Sequence, residues 1–89
     1  MKVYVLMSEG LDEAKEVVYH VEGVYEEFSE GKRVANRLEK ESKLTNPPSY
    51  SMQVRELGTE TVEFVWLRHP NGDWVICWPL GVSDTFPGP

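Results

Sequence analysis

The tripeptide Pro70-Asn71-Gly72 separates two apolar runs, residues 62–69 and 73–79, and it constrains the fold more than any other feature of the chain. Proline holds φ at about −65°, which suits the first central position of a type I turn, and glycine readily takes the left-handed conformation that follows such a turn. The pattern therefore predicts an antiparallel β-hairpin in which His69 faces Asp73.

The turn also determines which side chains of the hairpin share a face. Counting outward from the turn predicts the pairs Arg68–Trp74, Leu67–Val75, Trp66–Ile76, Val65–Cys77 and Phe64–Trp78. One face then carries Phe64, Trp66, Arg68, Trp74, Ile76 and Trp78. The other face is also apolar, with Val65, Leu67, Val75 and Cys77. A type I′ turn on Asn71-Gly72 alone would slip the register by one residue and divide the aromatic side chains between the faces.

Three further strands are predicted from hydrophobic patterning. Residues 2–7 are rich in β-branched and aromatic side chains, which favours a strand inside the sheet. Residues 50–57 alternate in polarity, which is typical of a half-exposed strand. For residues 16–25 a strand competes with a helix capped by Asp12, and the run of β-branched residues favours the strand.

One helix is predicted over residues 30–43, with Ser29 as its cap and apolar residues at helical spacing. With 89 residues the chain is long enough for one small domain. We expect an α+β domain over residues 1–79, in the order β-β-α-β-β-β, with an antiparallel or mixed sheet and the helix packed on one face. This domain includes the Trp-rich hairpin 62–79, and residues 80–89 are expected to form a flexible tail.

Charge is segregated along the chain. Fifteen acidic residues against nine basic ones give a net charge of −6, which repels nucleic acid as a whole. Residues 8–31 are strongly acidic, whereas the predicted helix is basic. The carboxylates either form solvated surface or imitate a phosphate backbone and bind the basic groove of a nucleic-acid enzyme. The candidate residues for this acidic partner-binding site are Glu22, Glu26, Glu27 and Glu30.

The aromatic residues of the hairpin are the second candidate site. They either form the core or contact another protein, because one short helix cannot cover a hairpin that is apolar on both faces. Tryptophan and arginine are also common interface anchors. A platform for stacking bases is a third interpretation, which the acidity of the chain disfavours. The candidate partner-binding or dimer residues are Phe64, Trp66, Arg68, Trp74 and Trp78.

Catalytic and metal chemistry have little support in the sequence. The single cysteine, Cys77, lies in an apolar run where a buried thiol is expected, and no serine or cysteine is predicted near His20 or His69. One cysteine and two histidines are too few for a zinc site built from these residue types. We therefore expect no enzyme activity, no cofactor and no metal. A single cysteine cannot form an intramolecular disulfide, which favours a reducing compartment. The sequence shows no cleavable signal and no apolar run that could span a membrane, so neither export nor a membrane span is expected.

The segments Met1-Lys2-Val3-Tyr4-Val5-Leu6 and Val17–Tyr25, followed by a helix ending in Arg37-Leu38-Glu39-Lys40, resemble small uncharacterised ββαβ accessory proteins of bacterial viruses. The resemblance covers residues 1–57 and does not include the Trp-rich hairpin. It implies a viral or mobile-element accessory protein, expected in the cytoplasm of a bacterial host, and it supplies no catalytic residue.

These observations predict a non-enzymatic accessory protein that binds a host or viral protein and does not bind nucleic acid or membrane directly. The most concrete form of this prediction is an acidic, DNA-mimicking inhibitor of a host defence complex that handles nucleic acid, such as a CRISPR complex. The alternative is an assembly module that forms a homodimer through the Trp-rich hairpin. A small ligand-binding domain or enzyme is the third interpretation.

Overall fold

A computed structural model describes residues 1–42, 48–59 and 61–78. Its elements are β1 (Lys2–Leu11), β2 (Val17–Tyr25), α1 (Phe28–Glu41), β3 (Ser49–Glu56), β4 (Val62–Arg68) and β5 (Trp74–Trp78). The strands form one antiparallel sheet in the order β2-β1-β3-β4-β5. The predicted α+β class and the order β-β-α-β-β-β are therefore confirmed. The tail predicted at 80–89 lies outside the described residues.

Strand β1 lies inside the sheet, as predicted, but it is longer than the predicted residues 2–7. Ser8 continues the strand because it pairs with His20 of β2 on one side and with Tyr50 of β3 on the other. The two ladders provide hydrogen-bond partners for the backbone N–H and C=O groups of this segment, although its local sequence is typical of a strand end. The alternative of a helix over residues 16–25 is wrong. Asp12 instead closes the β1–β2 turn, where its carboxylate accepts a hydrogen bond from the Glu16 N–H.

Helix α1 begins two residues earlier than predicted. Glu27 is its N-cap residue, with extended φ and ψ angles of −131° and 141° and no capping hydrogen bond from its side chain. Ser29 therefore lies in the first turn and is not the cap. At the other end the Ser42 N–H donates to the carbonyl oxygens of Leu38 and Glu39, which ends the helix close to the predicted position.

The core lies between α1 and one face of the sheet. Phe28 is its centre, because its ring makes edge contacts with Tyr4 at 6.0 Å and with Trp66 and Trp74 at 5.5 Å each between centroids. The alternation predicted for residues 50–57 is confirmed, since its apolar side is buried beneath the helix. The buried residues of the sheet are Tyr4, Leu6, Ser8, Tyr50, Met52, Val54, Trp66 and Ile76.

The β4–β5 turn has the predicted geometry. The Gly72 N–H donates to the His69 carbonyl at 2.9 Å, and the His69 N–H donates to the Asp73 carbonyl at 2.8 Å. Gly72 has a φ of 95°, the left-handed conformation expected of the residue after a type I turn. The predicted pairs Arg68–Trp74, Leu67–Val75 and Trp66–Ile76 are confirmed.

Beyond Ile76 the predicted register is wrong. A β-bulge places Trp78 opposite Val65, so the predicted pairs Val65–Cys77 and Phe64–Trp78 do not form. Cys77 is the additional residue of the bulge, and its thiol is exposed and donates to the Val65 carbonyl. Because paired residues share a face, Trp78 lies on the face of the sheet opposite that of Trp66.

Candidate interaction surface

The face of the sheet opposite α1 is covered by no other element of the described residues. We call it the open face. Its apolar members come from four strands and form a nearly continuous surface. They are Val3, Val5, Met7 and Leu11 of β1, Val17, Tyr19, Val21 and Val24 of β2, Val62, Val65 and Leu67 of β4, and Val75 and Trp78 of β5.

Several of these side chains are unusually accessible for their type. Tyr19 and Val21 are each 62% exposed, Val24 and Val17 are more than half exposed, and Trp78 is 46% exposed. Single exposed apolar residues are common on protein surfaces, but a contiguous set on one face is typical of an interaction site. The arrangement follows from the fold, because one helix can cover only one side of a five-stranded sheet.

A polar stripe crosses the middle of the open face along β3. It consists of Ser49, Ser51, Gln53 and Arg55. The Arg55 guanidinium is held along the strand, since its Nε and Nη2 donate to Gln53 Oε1 at 3.0 and 2.7 Å. Arg55 and Glu9 are the charged residues that the described strands place on this face. The open face is therefore almost neutral, although the chain is strongly acidic.

The predicted aromatic site is split between the two faces. Trp66 is 5% exposed, and Phe64 and Trp74 pack against the same core beneath α1. Arg68 is also on the helix side, where its side chain is only 10% exposed and forms an ion pair with Glu39. Trp78 alone of the five predicted residues lies on the open face.

Arg68 links the hairpin to the helix. Besides the ion pair with Glu39, its Nη2 and Nε donate to Asn36 Oδ1 at 3.0 and 3.3 Å. Such charge-assisted contacts hold a side chain in one position. Arg68 therefore connects β4 to α1 within the chain. Trp74, which pairs with Arg68 across the hairpin, packs on Phe28.

The predicted acidic residues lie near the β2–α1 connection. All four are exposed, and Glu22 also accepts a hydrogen bond of 2.7 Å from the buried Ser8 hydroxyl. Basic residues lie among the carboxylates. One surface depression is lined by Tyr25, Glu27, Glu30, Arg33, Val34 and Arg37.

Sequence reasoning missed a polar cluster where β1 pairs with β2. Because β1 continues past Met7, Ser8 lies opposite His20, which contradicts the expectation that no serine is near a histidine. The Ser8 hydroxyl donates to Glu22, so His20 does not act as its acceptor. The sequence could have indicated this pairing only if β1 had been predicted to its full length. The cluster borders a cavity of about 300 Å³ that is also lined by Leu11, Val18 and Pro48.

Tyr50 lies between this cluster and Arg68. Burial raises the pKa of its phenol above the usual 10.0, and the negative charges of Glu22 and Glu39 raise it further, while Arg68 opposes the shift. Among residues 1–42, 48–59 and 61–78, no group of three or more His, Cys, Asp or Glu side chains is arranged to hold a metal ion. Within the same residues no helix is long and apolar enough to cross a membrane.

Comparisons with protein-family models, characterised proteins and solved structures found no match for this chain. The resemblance to accessory proteins of bacterial viruses therefore remains a prediction, as do the cytoplasmic location and the inhibitor function derived with it.

Proposed function

We propose that this chain is a non-enzymatic protein-binding module whose binding surface is the open face of its sheet. The observation that carries the proposal is the exposure of apolar side chains from β2, β4 and β5 on this one face. Removing such area from water is favourable by roughly 25 cal/mol per Å². A second layer packed on the open face would gain this free energy, as in proteins whose sheets are covered on both sides.

The shape and composition of the open face support a protein partner. Its polar β3 stripe lies between two apolar halves, and protein interfaces commonly combine an apolar interior with a few ordered hydrogen-bonding groups. Arg55 is already oriented by Gln53, so little side-chain freedom is lost when it meets a partner. A nucleic acid would find little positive charge here, since Arg55 is balanced by Glu9.

An acidic inhibitor acting through Glu22, Glu26, Glu27 and Glu30 has weaker support. The Arg33 and Arg37 guanidinium groups share a depression with Glu27 and Glu30. A basic groove brought onto this region would therefore meet both signs of charge. Glu22 is in addition engaged by Ser8.

Site-specific photo-crosslinking tests the proposal. A benzoylphenylalanine residue replacing Tyr19 on the open face should form a protein adduct in cells that express the chain. The same residue replacing His20 is the matched control, because His20 is also exposed but lies on the opposite face of the same strand. The adduct partner is then identified by mass spectrometry, and its binding is measured with purified proteins.

Two substitutions distinguish the surfaces in that binding measurement. Val21→Lys should weaken binding about tenfold or more, because it places a charge in a desolvated apolar contact. The double charge reversal Glu26→Lys and Glu27→Lys should leave binding nearly unchanged. If the charge reversal weakens binding and Val21→Lys does not, the acidic residues are the binding surface. Equal adduct formation at positions 19 and 20 would refute the proposal.

A further inference from the structure

We propose that the protein bound by the open face is a second copy of this chain, packed face to face about a two-fold axis that runs across the strands. This inference rests on the function proposed above and identifies the partner. Its basis is the size of the open face, its near-neutral charge and the positions of Glu9 and Arg55.

The open face reaches the area at which specific protein interfaces begin. Strands spaced about 4.8 Å apart give five strands a width of about 24 Å, and the seven residues from Val3 to Glu9 span about 20 Å. The planar footprint is therefore roughly 500 Å² on each copy, or roughly 1,000 Å² for two, before side-chain relief is counted. Specific interfaces begin at about this size.

The two charged residues of the open face lie at opposite ends of it. Arg55 pairs with Val3 at one end of β1, and Glu9 pairs with Ser49 at the other end. A two-fold axis across the strands at the level of Leu6 exchanges these two levels. Glu9 of each copy then lies opposite the part of the second copy that carries Val3 and Arg55. Two opposite-charge contacts related by symmetry would result.

The same axis places the rest of the open face on the equivalent surface of the second copy. It lays the apolar β1–β2 half of one copy on the β1–β2 half of the other, because an axis across the strands keeps each strand over its counterpart. The polar stripe of one copy lies over the polar stripe of the other. Gln53 of each copy is then near the level of Ser51 in the other copy. Packing two sheets at about 10 Å separation and within about 30° of alignment is a common way to bury such faces.

The negative charge of the chain does not oppose this contact at close range. Asp12, Glu13 and Glu16 belong to the β1–β2 turn region, and Glu26, Glu27 and Glu30 are near the start of α1. None of these residues is on the strand positions that form the open face. Their repulsion across the dimer is screened at physiological ionic strength over about 8 Å.

Sedimentation of the purified chain from low to high micromolar concentration tests the inference. The wild-type chain should sediment as a dimer, and Val21→Lys should be monomeric. His20→Lys is the matched control, because His20 is exposed on the same strand but on the opposite face. Both variants make the chain less acidic, so loss of the dimer in Val21→Lys alone cannot come from net charge.

A charge-exchange cycle tests the proposed axis. Glu9→Arg and Arg55→Glu should each weaken the dimer about tenfold, whereas the chain that carries both substitutions should recover most of the lost affinity. A role of Arg55 confined to its bond with Gln53 would not give this recovery. Circular dichroism and urea unfolding of each variant verify that the monomer is folded.

The results separate this inference from the proposed function. A wild-type chain that stays monomeric at high micromolar concentration, with crosslinks from position 19 to a different protein, overturns the homodimer and retains the binding function. A monomer that yields no specific adduct at position 19 overturns both. A dimer that is unaffected by Val21→Lys overturns the open face as its interface, and a dimer without recovery in the charge exchange overturns the axis.

Discussion

Gly31 of α1 lies directly against Met52 of β3: a Cβ atom added at position 31 would come within 2.8 Å of Met52 Sδ and closer still to Cε. Met52 is completely buried, so its side chain has little room to move. The absence of a side chain at Gly31 therefore sets how closely the helix can approach the sheet. The covered face of the sheet is the one that carries Met52.

We expect Gly31→Ala to lower the free energy of unfolding by about 1 to 2 kcal/mol, because the cost of overpacking exceeds the gain of about 1 kcal/mol in helix propensity. The loss should be smaller in a Met52→Val background, where the two side chains no longer compete for the same space. Ser29→Ala is the control on the exposed side of the first turn and should change stability by less than about 0.5 kcal/mol. Urea unfolding measures the wild-type chain, the two single variants, the double variant and the Ser29→Ala control. A stabilising Gly31→Ala would contradict the close contact.

The tryptophans should differ sharply in their effect on stability. Trp66→Ala is expected to cost about 3 to 5 kcal/mol because it leaves a large cavity beneath α1. Trp78→Ala should cost about 1 kcal/mol or less in the monomeric Val21→Lys background, since its side chain is half exposed there. Chemical unfolding gives both values. Iodide quenching of single-tryptophan variants provides an independent check, and equal quenching of Trp66 and Trp78 would contradict their assignment to opposite faces.

Arg68 and Glu39 should be energetically coupled. Arg68→Ala is expected to destabilise the chain by about 1 to 3 kcal/mol, because it leaves the Glu39 carboxylate without its partner in a mostly buried position. Glu39→Gln should cost less, and the double variant should cost less than the sum of the two single ones. Lys40→Ala, at an exposed position on the same helix, serves as the comparison. Additive losses would mean that the ion pair contributes nothing to stability.

Tyr50 should make the fold sensitive to alkaline pH. Burial, followed by the charges of Glu22 and Glu39, raises its pKa in the folded chain above the unfolded value of 10.0. The contribution of the neutral phenol is therefore fully present below pH 10 and is lost as the pH rises through the folded pKa. In the Val21→Lys background, Tyr50→Phe should remove this part of the pH dependence, whereas Tyr19→Phe, at a position exposed in the single chain, should keep it. The measurement is urea unfolding as a function of pH, and identical alkaline slopes for wild type and Tyr50→Phe would contradict the expectation.

Local sequence was sufficient for much of the architecture. The β4–β5 turn follows from the φ of Pro70 and the freedom of Gly72, and both act within a few residues. The helix follows from apolar spacing and ends ahead of Pro47-Pro48 for the same local reasons. The first residue of the helix could not be predicted from local sequence. Ser29 can cap a helix, but the packing of Phe28 places Phe28 in the first turn. The alternation of residues 50–57 needed only the two-residue period of a strand.

The sequence also determined that the hairpin had more apolar surface than one helix could cover, which makes an exposed apolar face unavoidable. It could not determine which residues occupy that face. The bulge at Cys77 moves Trp78 to the open face, and nothing local opposes either register because both faces of the hairpin are apolar. The pairing of Ser8 with His20 likewise required β2 and β3 on either side of β1. The tertiary structure decided these points, because strand length, bulges and the choice of covered face depend on contacts between residues distant in sequence.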